Sequence, residues 1–401
     1  MNKYKVVWLC HFTNDYLNNY FGIEKKELSR WIDSFTNIVI GNEQLDIHIV
    51  APNYWTHEDL VIKRENITYH LYRYIHTKNV RIGVLEQLFT KERYIKNKIK
   101  KIIDGIAPDV IHLFGSENMD YSCGILNYIG NKNVVISIQG HINKTKDKQA
   151  FPRNLVINYR KKLERKINSS FDTITISTKK PTSTYISDNY PNITCKRTLF
   201  FPTTIPQYHD NIEKKFDLVF WGRICREKGF IDLLDALHIL KQEGHLVTLL
   251  VIGKLENASK NEIFEKIERY GIKEQIEFAG FMKDTNTMFL KAQEGRIYIL
   301  PTHYDGMPGS VREAMHLQIP VITTPVGSLP NLNKENECVI LSETGNIEKL
   351  GNNITRLLND KELYDTLKKN AKEYANNNFS NKEILTQLLD LYKEISKRNG
   401  E

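Results

Sequence analysis

Twice along this chain, short apolar runs, most without strict polar alternation, are separated by segments of helical periodicity. KVVWLC, LDIHIVA, DVIHLF, NVVISI, DTITIS and RTLFF punctuate the first half; DLVFWG, LVTLLVIG, IEFAG, RIYIL, PVITT and CVIL punctuate the second. A strand covered on both faces is apolar on both, whereas a half-exposed strand alternates. The runs therefore predict an α/β chain with two doubly wound parallel sheets, each sandwiched between helices. The clearest helix places Phe230, Leu233, Leu234, Leu237 and Leu240 on one face and stops at Gly244.

At 401 residues the chain exceeds one ordinary core. The proline-bearing, aperiodic stretch FPTTIPQYHDNIEKKFD, residues 201–217, is the expected boundary. It separates a domain of residues 1–205 from one of residues 206–380, with a closing helix in residues 381–401. No run approaches 18 apolar residues, so no membrane-spanning helix is expected, and MNKYKVVWLCHF reads as a strand rather than a secretory leader. Five cysteines, an odd number without CxxC spacing, fit reduced thiols in a cytoplasmic protein. The net charge of +8 is concentrated partly in residues 143–167, with nine Lys/Arg against two acids. This segment is either a solvated helix face or a peripheral contact with an anionic membrane surface. Nucleic acid is not an expected partner, because no nucleic-acid-binding motif or zinc finger occurs.

Ligands of doubly wound sheets sit at the carboxyl ends of the strands. In the second half these ends are rich in glycine and charge. WGRICREKGF offers Gly222 for close backbone approach, and Arg223 and Lys228 to grip a diphosphate; alone it is equally an exposed basic loop. LLVIGK places Gly253 where a side chain would obstruct a ligand, and EFAGF places Gly280 equivalently, although either glycine alone suits a plain turn. RIYIL leads into DGMPGSVREAM, Asp305–Met315. There Gly306 and Gly309 free backbone N–H groups, and Pro308 suits the first turn of a helix over about Ser310–Leu317. The amino end of that helix attracts anions, and Glu313 is either a dipole partner or an acceptor for ribose hydroxyls. No D-x-D, H-E-x-x-H, G-x-G-x-x-G, P-loop or G-x-S-x-G pattern is present, so neither a metal nor a cofactor is expected.

Taken together, DGMPGSVREAMHLQIPVITTPVGSLP and WGRICREKGFIDLLDAL, with LLVIG and EFAGFM between them, resemble the ordered motifs of retaining glycosyltransferases of family 4, of bacterial surface-polysaccharide type. The resemblance covers residues 216–390 well and the amino half only through DVIHLFG and VVISIQG. It implies the GT-B fold: two Rossmann-like domains facing a central cleft, acceptor bound by the first, nucleotide sugar by the second, and the closing helix packed back on the first. Carried over by motif, Arg223 and Lys228 neutralise the donor diphosphate, Asp305 contacts the donor sugar and Glu313 binds ribose. The backbone of Gly306, Met307, Pro308 and Gly309 touches sugar hydroxyls, that of Ser310 and Val311 the phosphates, and Met282 lies near the base. Gln139 stands where the family often has a histidine facing the sugar, with His141 two residues later, so either residue is a candidate. The implied partners are a nucleoside diphosphate sugar, UDP favoured over GDP, and a glycan acceptor, lipid-linked, in polysaccharide, lipopolysaccharide or capsule synthesis. Hexosyl and N-acetylhexosaminyl transfer are both open. A nucleotide-sugar epimerase of the same fold and a non-catalytic nucleotide-sugar-binding protein are the competing expectations.

Overall fold

The structure is a computed structural model that describes residues 3–11, 14–22, 30–56, 58–74, 91–138, 141–144, 153–177 and 182–399. The chain divides into two compact units, parting at Pro202/Thr203, with the segment from Ile384 onward returning to the first.

The first unit is built on an eight-stranded sheet. Its strands are β1 (Tyr4–Leu9), β2 (Leu45–Asn53), β3 (Leu60–Arg64), β4 (Ile67–Arg73), β5 (Val110–Phe114), β6 (Val134–Ile138), β7 (Thr173–Ile176) and β8 (Cys195–Thr198). They lie in the order β3-β4-β2-β1-β5-β6-β7-β8. Every pairing is parallel except the β3–β4 hairpin at one edge. Val6 to Leu9 and all of β5 and β6 are buried, as strands covered on both faces are. The helix Asn381–Ser396 buries Ile384, Leu388, Leu391, Tyr392 and Ile395 in this unit's core.

A chain of polar side chains runs through that core. The Trp8 indole N–H donates to the Tyr392 hydroxyl at 2.8 Å. That hydroxyl lies 2.8 Å from His112 Nδ1, and His112 Nε2 lies 2.7 Å from Ser137 Oγ. The three contacts are mutually consistent when His112 is neutral with its proton on Nε2, and burial pushes its pKa down to about 3.

The second unit carries a six-stranded, wholly parallel sheet. Its strands are β9 (Phe216–Trp221), β10 (Leu249–Ile252), β11 (Ile276–Gly280), β12 (Gly295–Leu300), β13 (Val321–Thr323) and β14 (Ile340–Leu341). The order is β11-β10-β9-β12-β13-β14, so the sheet grows one way from β9 and then reverses at β12. A crevice opens outside the carboxyl ends at such a reversal, because successive connections leave toward opposite faces. The Phe230–Gln242 helix covers the sheet through Phe230, Leu233, Leu234, Leu237 and Leu240, the stripe its periodicity predicts.

Candidate functional site

The reversal brings two loops together, one leaving β9 and one leaving β12. Beyond Trp221 the first loop passes Gly222 and Arg223, turns at Arg226–Lys228 and enters the Phe230 helix through Gly229. Gly229 has φ +72°, and a Cβ there would lie 1.9 Å from the Pro301 carbonyl oxygen. Only glycine permits this approach. The His303 N–H and the Thr302 hydroxyl both donate to the Glu227 carbonyl, at 2.9 and 3.1 Å, and fix the two loops to each other. The loop after β13 closes the other side. At Gly327 (φ +57°) a Cβ would meet the carbonyls of Asp305 and Gly306 at 2.2 and 2.3 Å, and the Ser328 N–H donates to the Gly306 carbonyl at 2.7 Å.

This packing places Lys228 against Asp305. The Lys228 ammonium donates to Asp305 Oδ2, while Asp305 Oδ1 accepts the Gly306 N–H at 2.9 Å. Both side chains are largely shielded, 19% and 16% exposed, so this pair is screened less than a surface pair. Arg223 sits at the same mouth but is 62% exposed, and its guanidinium donates to Glu256 Oε1 at 2.5 Å. The two cations read from sequence as diphosphate grips are each paired with an acid. Glu256 and Asp305 must be exchanged for phosphate if these cations are to bind it.

The helix Gly309–His316 starts at Pro308, and no side chain caps its first turn. Its leading amides and positive dipole end supply anion-binding capacity. One turn in, the half-buried Glu313 accepts the Trp221 indole N–H at 2.9 Å. Trp221 is 3% exposed, and its ring centroid lies 4.0 Å from that of Tyr298 on β12. The Tyr298 hydroxyl donates to the Trp221 carbonyl at 3.2 Å, and burial raises its pKa well above the ordinary tyrosine value, keeping it a donor.

The remaining candidates fall as follows. Lys228, Asp305, Gly306 and Glu313 are brought together at the reversal with the Pro308–Val311 helix start, Met307 is half-buried in the same loop, and Arg223 lies on the loop leaving β9, paired with Glu256. The Gly306 N–H is turned onto Asp305 rather than outward. Gly253 requires a correction: a Cβ there would meet the Gly222 carbonyl at 1.9 Å, so its bareness accommodates a neighbouring backbone, not a ligand. Gly222 itself is exposed, with nothing within 4 Å of the Cβ position. Met282 follows β11 at the sheet edge, two strands away from β9.

In the first unit, Gln139 lies outside the described residues. His141 is 7% exposed and directs Nδ1 to Glu164 Oε1 at 3.4 Å, with its ring 4.5 Å from Tyr185. Glu164 is fully buried and also accepts the Ile142 N–H at 2.6 Å. The Asn143 side-chain amide donates to it as well, at 3.1 Å. This carboxylate ties down the loop after β6, and its position on the Arg153–Asn168 helix gave no local signal. Of the basic segment 143–167, residues 145–152 lie outside the described residues.

Among the described residues, Cys225, Glu227 and Glu256 each present a potential ligand atom, all within 4.8 Å of one another. The chemistry does not favour a cation there: burial raises the Cys225 thiol pKa, opposing the thiolate, and Glu256 already holds Arg223. No described helix is long and apolar enough to cross a membrane.

Comparison with known proteins bears on the same loops. Residues 203–374 match the family model described as glycosyl transferases group 1. The capsular polysaccharide biosynthesis glycosyltransferase CapM of Staphylococcus aureus is 28% identical over 193 residues, covering 48% of this chain and 50% of CapM. The chain spans about half the length of the curated relatives it matches. Among solved structures, sucrose-phosphate synthase of Thermosynechococcus elongatus aligns with a TM-score of 0.68 at 16% identity, covering 98% of this chain and 99% of that one. Anabaena HepE, crystallised with UDP, aligns with a TM-score of 0.65 at 14% identity, covering 98% and 100%. These likenesses give the GT-B fold, and residues 203–374 are similar to the domain described as glycosyl transferases group 1.

Proposed function

We propose that the protein transfers a sugar from a nucleoside diphosphate donor to a hydroxyl of a glycan acceptor, with retention at the anomeric carbon. One observation carries the reading: at the reversal of the second sheet, two cations, an uncapped helix start and two carboxylates are gathered on loops locked to one another. As the glycosidic bond breaks, negative charge grows on the leaving diphosphate. Arg223, Lys228 and the amides of Ser310 and Val311 are assigned to receive it. Preorganised donors of this kind each lower a barrier by roughly 3 kcal/mol. Asp305, released from Lys228 when phosphate takes the ammonium, becomes available to a donor-sugar hydroxyl, and the backbone from Gly306 to Gly309 lies beside it. Glu313 is assigned to the ribose and Met282 to the neighbourhood of the base.

HepE with bound UDP supports UDP as the nucleotide, and CapM supports an acceptor in capsule or related surface polysaccharide. We assign acceptor binding to the first unit, and a lipid-linked acceptor fits its basic Arg153–Asn168 helix. The test is transfer from UDP- and GDP-sugars to lipid-linked glycan acceptors, followed by mass spectrometry, with the product's anomeric configuration read by NMR. A single retained linkage is expected. Donor isomerisation without transfer indicates an epimerase, and donor binding without turnover indicates a binding protein; either result rejects the proposal.

A further inference from the structure

We infer that Trp221 is a positioning residue for the nucleotide: its indole N–H holds the Glu313 carboxylate where the ribose is received. The inference rests on the donor reading above and adds to it a residue that no motif supplies.

A glutamate one turn into a helix has three side-chain torsions, and left alone its carboxylate samples solvent. Here Oε2 accepts a hydrogen bond at 2.9 Å from a ring that is itself immobilised. Trp221 ends a buried strand, is 3% exposed, and lies edge-tilted on Tyr298 at 45° between ring planes. Its carbonyl is held by the Tyr298 hydroxyl. The indole has a single N–H, and when buried it needs an acceptor. Glu313 Oε1 lies 3.6 Å from the point a Cβ on Gly309 would occupy, so the carboxylate is turned toward the helix start and not along the outer face. The donor is neutral. Unlike Lys228, it does not compete for phosphate and need not let go when a nucleotide enters. The result is an anionic acceptor fixed in place before the ligand arrives, with its ordering cost already met in folding.

A purely structural role, in which Glu313 merely satisfies the indole, predicts no dependence on the ribose. The experiment therefore compares UDP with 2′,3′-dideoxy-UDP by calorimetric titration of the full chain, wild type and Trp221→Phe, which keeps a ring and removes the N–H. Wild type is expected to bind UDP at least about tenfold tighter than the dideoxy analogue, the scale of hydrogen bonds to a charged acceptor. In Trp221→Phe the preference is expected to fall to about threefold or less, through weaker UDP binding and with little change for the analogue. An unchanged preference, or an equal loss for both ligands, overturns the positioning role and leaves the donor reading intact. A wild type that does not distinguish the two ligands removes Glu313 from the ribose, and this inference with it. Should Trp221→Phe fail to fold, the indole ¹H–¹⁵N signals of the wild-type protein answer the same question. One of the four tryptophans must shift with UDP and with Glu313→Gln, and less with the dideoxy analogue. No such signal means no such positioning.

Discussion

The Lys228–Asp305 pair makes a prediction that a free lysine would not. Replace Lys228 with alanine and measure UDP affinity by titration calorimetry. An ammonium about 4 Å from a phosphate charge, at an effective dielectric of about 20, contributes about 4 kcal/mol. Binding must first release Asp305, and a pair shielded to this degree (19% and 16% exposed) returns about 1–2 kcal/mol of that gain. The net is about 2–3 kcal/mol, so Lys228→Ala should weaken UDP roughly 30- to 150-fold. Part of this loss has another source. In the single variant Asp305 keeps its charge, loses its cation and faces the diphosphate. The double variant Lys228→Ala/Asp305→Asn should therefore bind UDP about tenfold better than Lys228→Ala alone. Circular dichroism and melting curves check that both remain folded. A Lys228→Ala protein within threefold of wild type refutes the phosphate role. A double variant that binds UDP no better than Lys228→Ala refutes the repulsion assigned to the unpaired Asp305.

Three further outcomes follow from the same geometry. Arg223→Ala removes a 62% exposed partner of Glu256, so stability should change by less than about 0.5 kcal/mol, while sugar transfer falls at least about 100-fold; a melting shift without loss of transfer contradicts this. Gly229→Ala puts a methyl 1.9 Å from the Pro301 carbonyl at φ +72°, and should cost about 3 kcal/mol or more, seen as a fall in denaturation midpoint together with loss of UDP binding. Burial lowers the folded pKa of His112 to about 3, below its unfolded value near 6.5, so the unfolded chain takes up the proton first. Stability is fully present above about pH 6.5 and is lost as pH falls toward 3. The loss is about 2 kcal/mol by pH 5, with His70, lowered to about 4 chiefly by burial and secondarily by His48, adding in the same direction. A melting temperature flat between pH 7 and 5 opposes this.

The parallel strands were legible because burial on both faces leaves a mostly apolar run, as in β5, β6 and β12. The β3–β4 hairpin was not. Its strands alternate, with burial limited to Ile62 in β3, and a search for uninterrupted apolar runs passes over an edge that faces water. RTLFF marked a strand too late in the chain. The strand is Cys195–Thr198, and Phe201 leaves it to pack edge-on against Phe35, at 5.9 Å between ring centroids. An apolar triplet fits a loop pressed on a core as well as it fits a strand. At the site, the residue types were readable because strand ends of a doubly wound sheet are few and fixed by topology. Their pairings were not. Glu256 follows Arg223 by 33 residues and Asp305 follows Lys228 by 77, and no local spacing encodes such contacts. Trp221 escaped notice because, at the end of an apolar strand, an indole looks like core until its N–H is seen to face a carboxylate.

Those pairings give the site an asymmetry. The loop leaving β9 holds both acids of DGMPGSVREAM, Asp305 through Lys228 and Glu313 through the Trp221 ring at the end of the strand. The first tie joins opposite charges, and an incoming diphosphate competes directly for its cation, so it should exchange when the donor binds. The second tie uses a neutral N–H that phosphate gains little by displacing, so it should persist. The nucleotide end of the pocket would then be preformed, while the sugar end becomes competent only once phosphate has taken Lys228 and freed Asp305. Free UDP and the intact donor would both trigger that release, but only the donor presents a sugar to the released carboxylate. Asp305→Asn should accordingly leave UDP affinity equal to or tighter than wild type while lowering transfer. A parallel loss of both would mean that Asp305 serves the fold of its loop, through the Gly306 N–H, more than it serves the sugar.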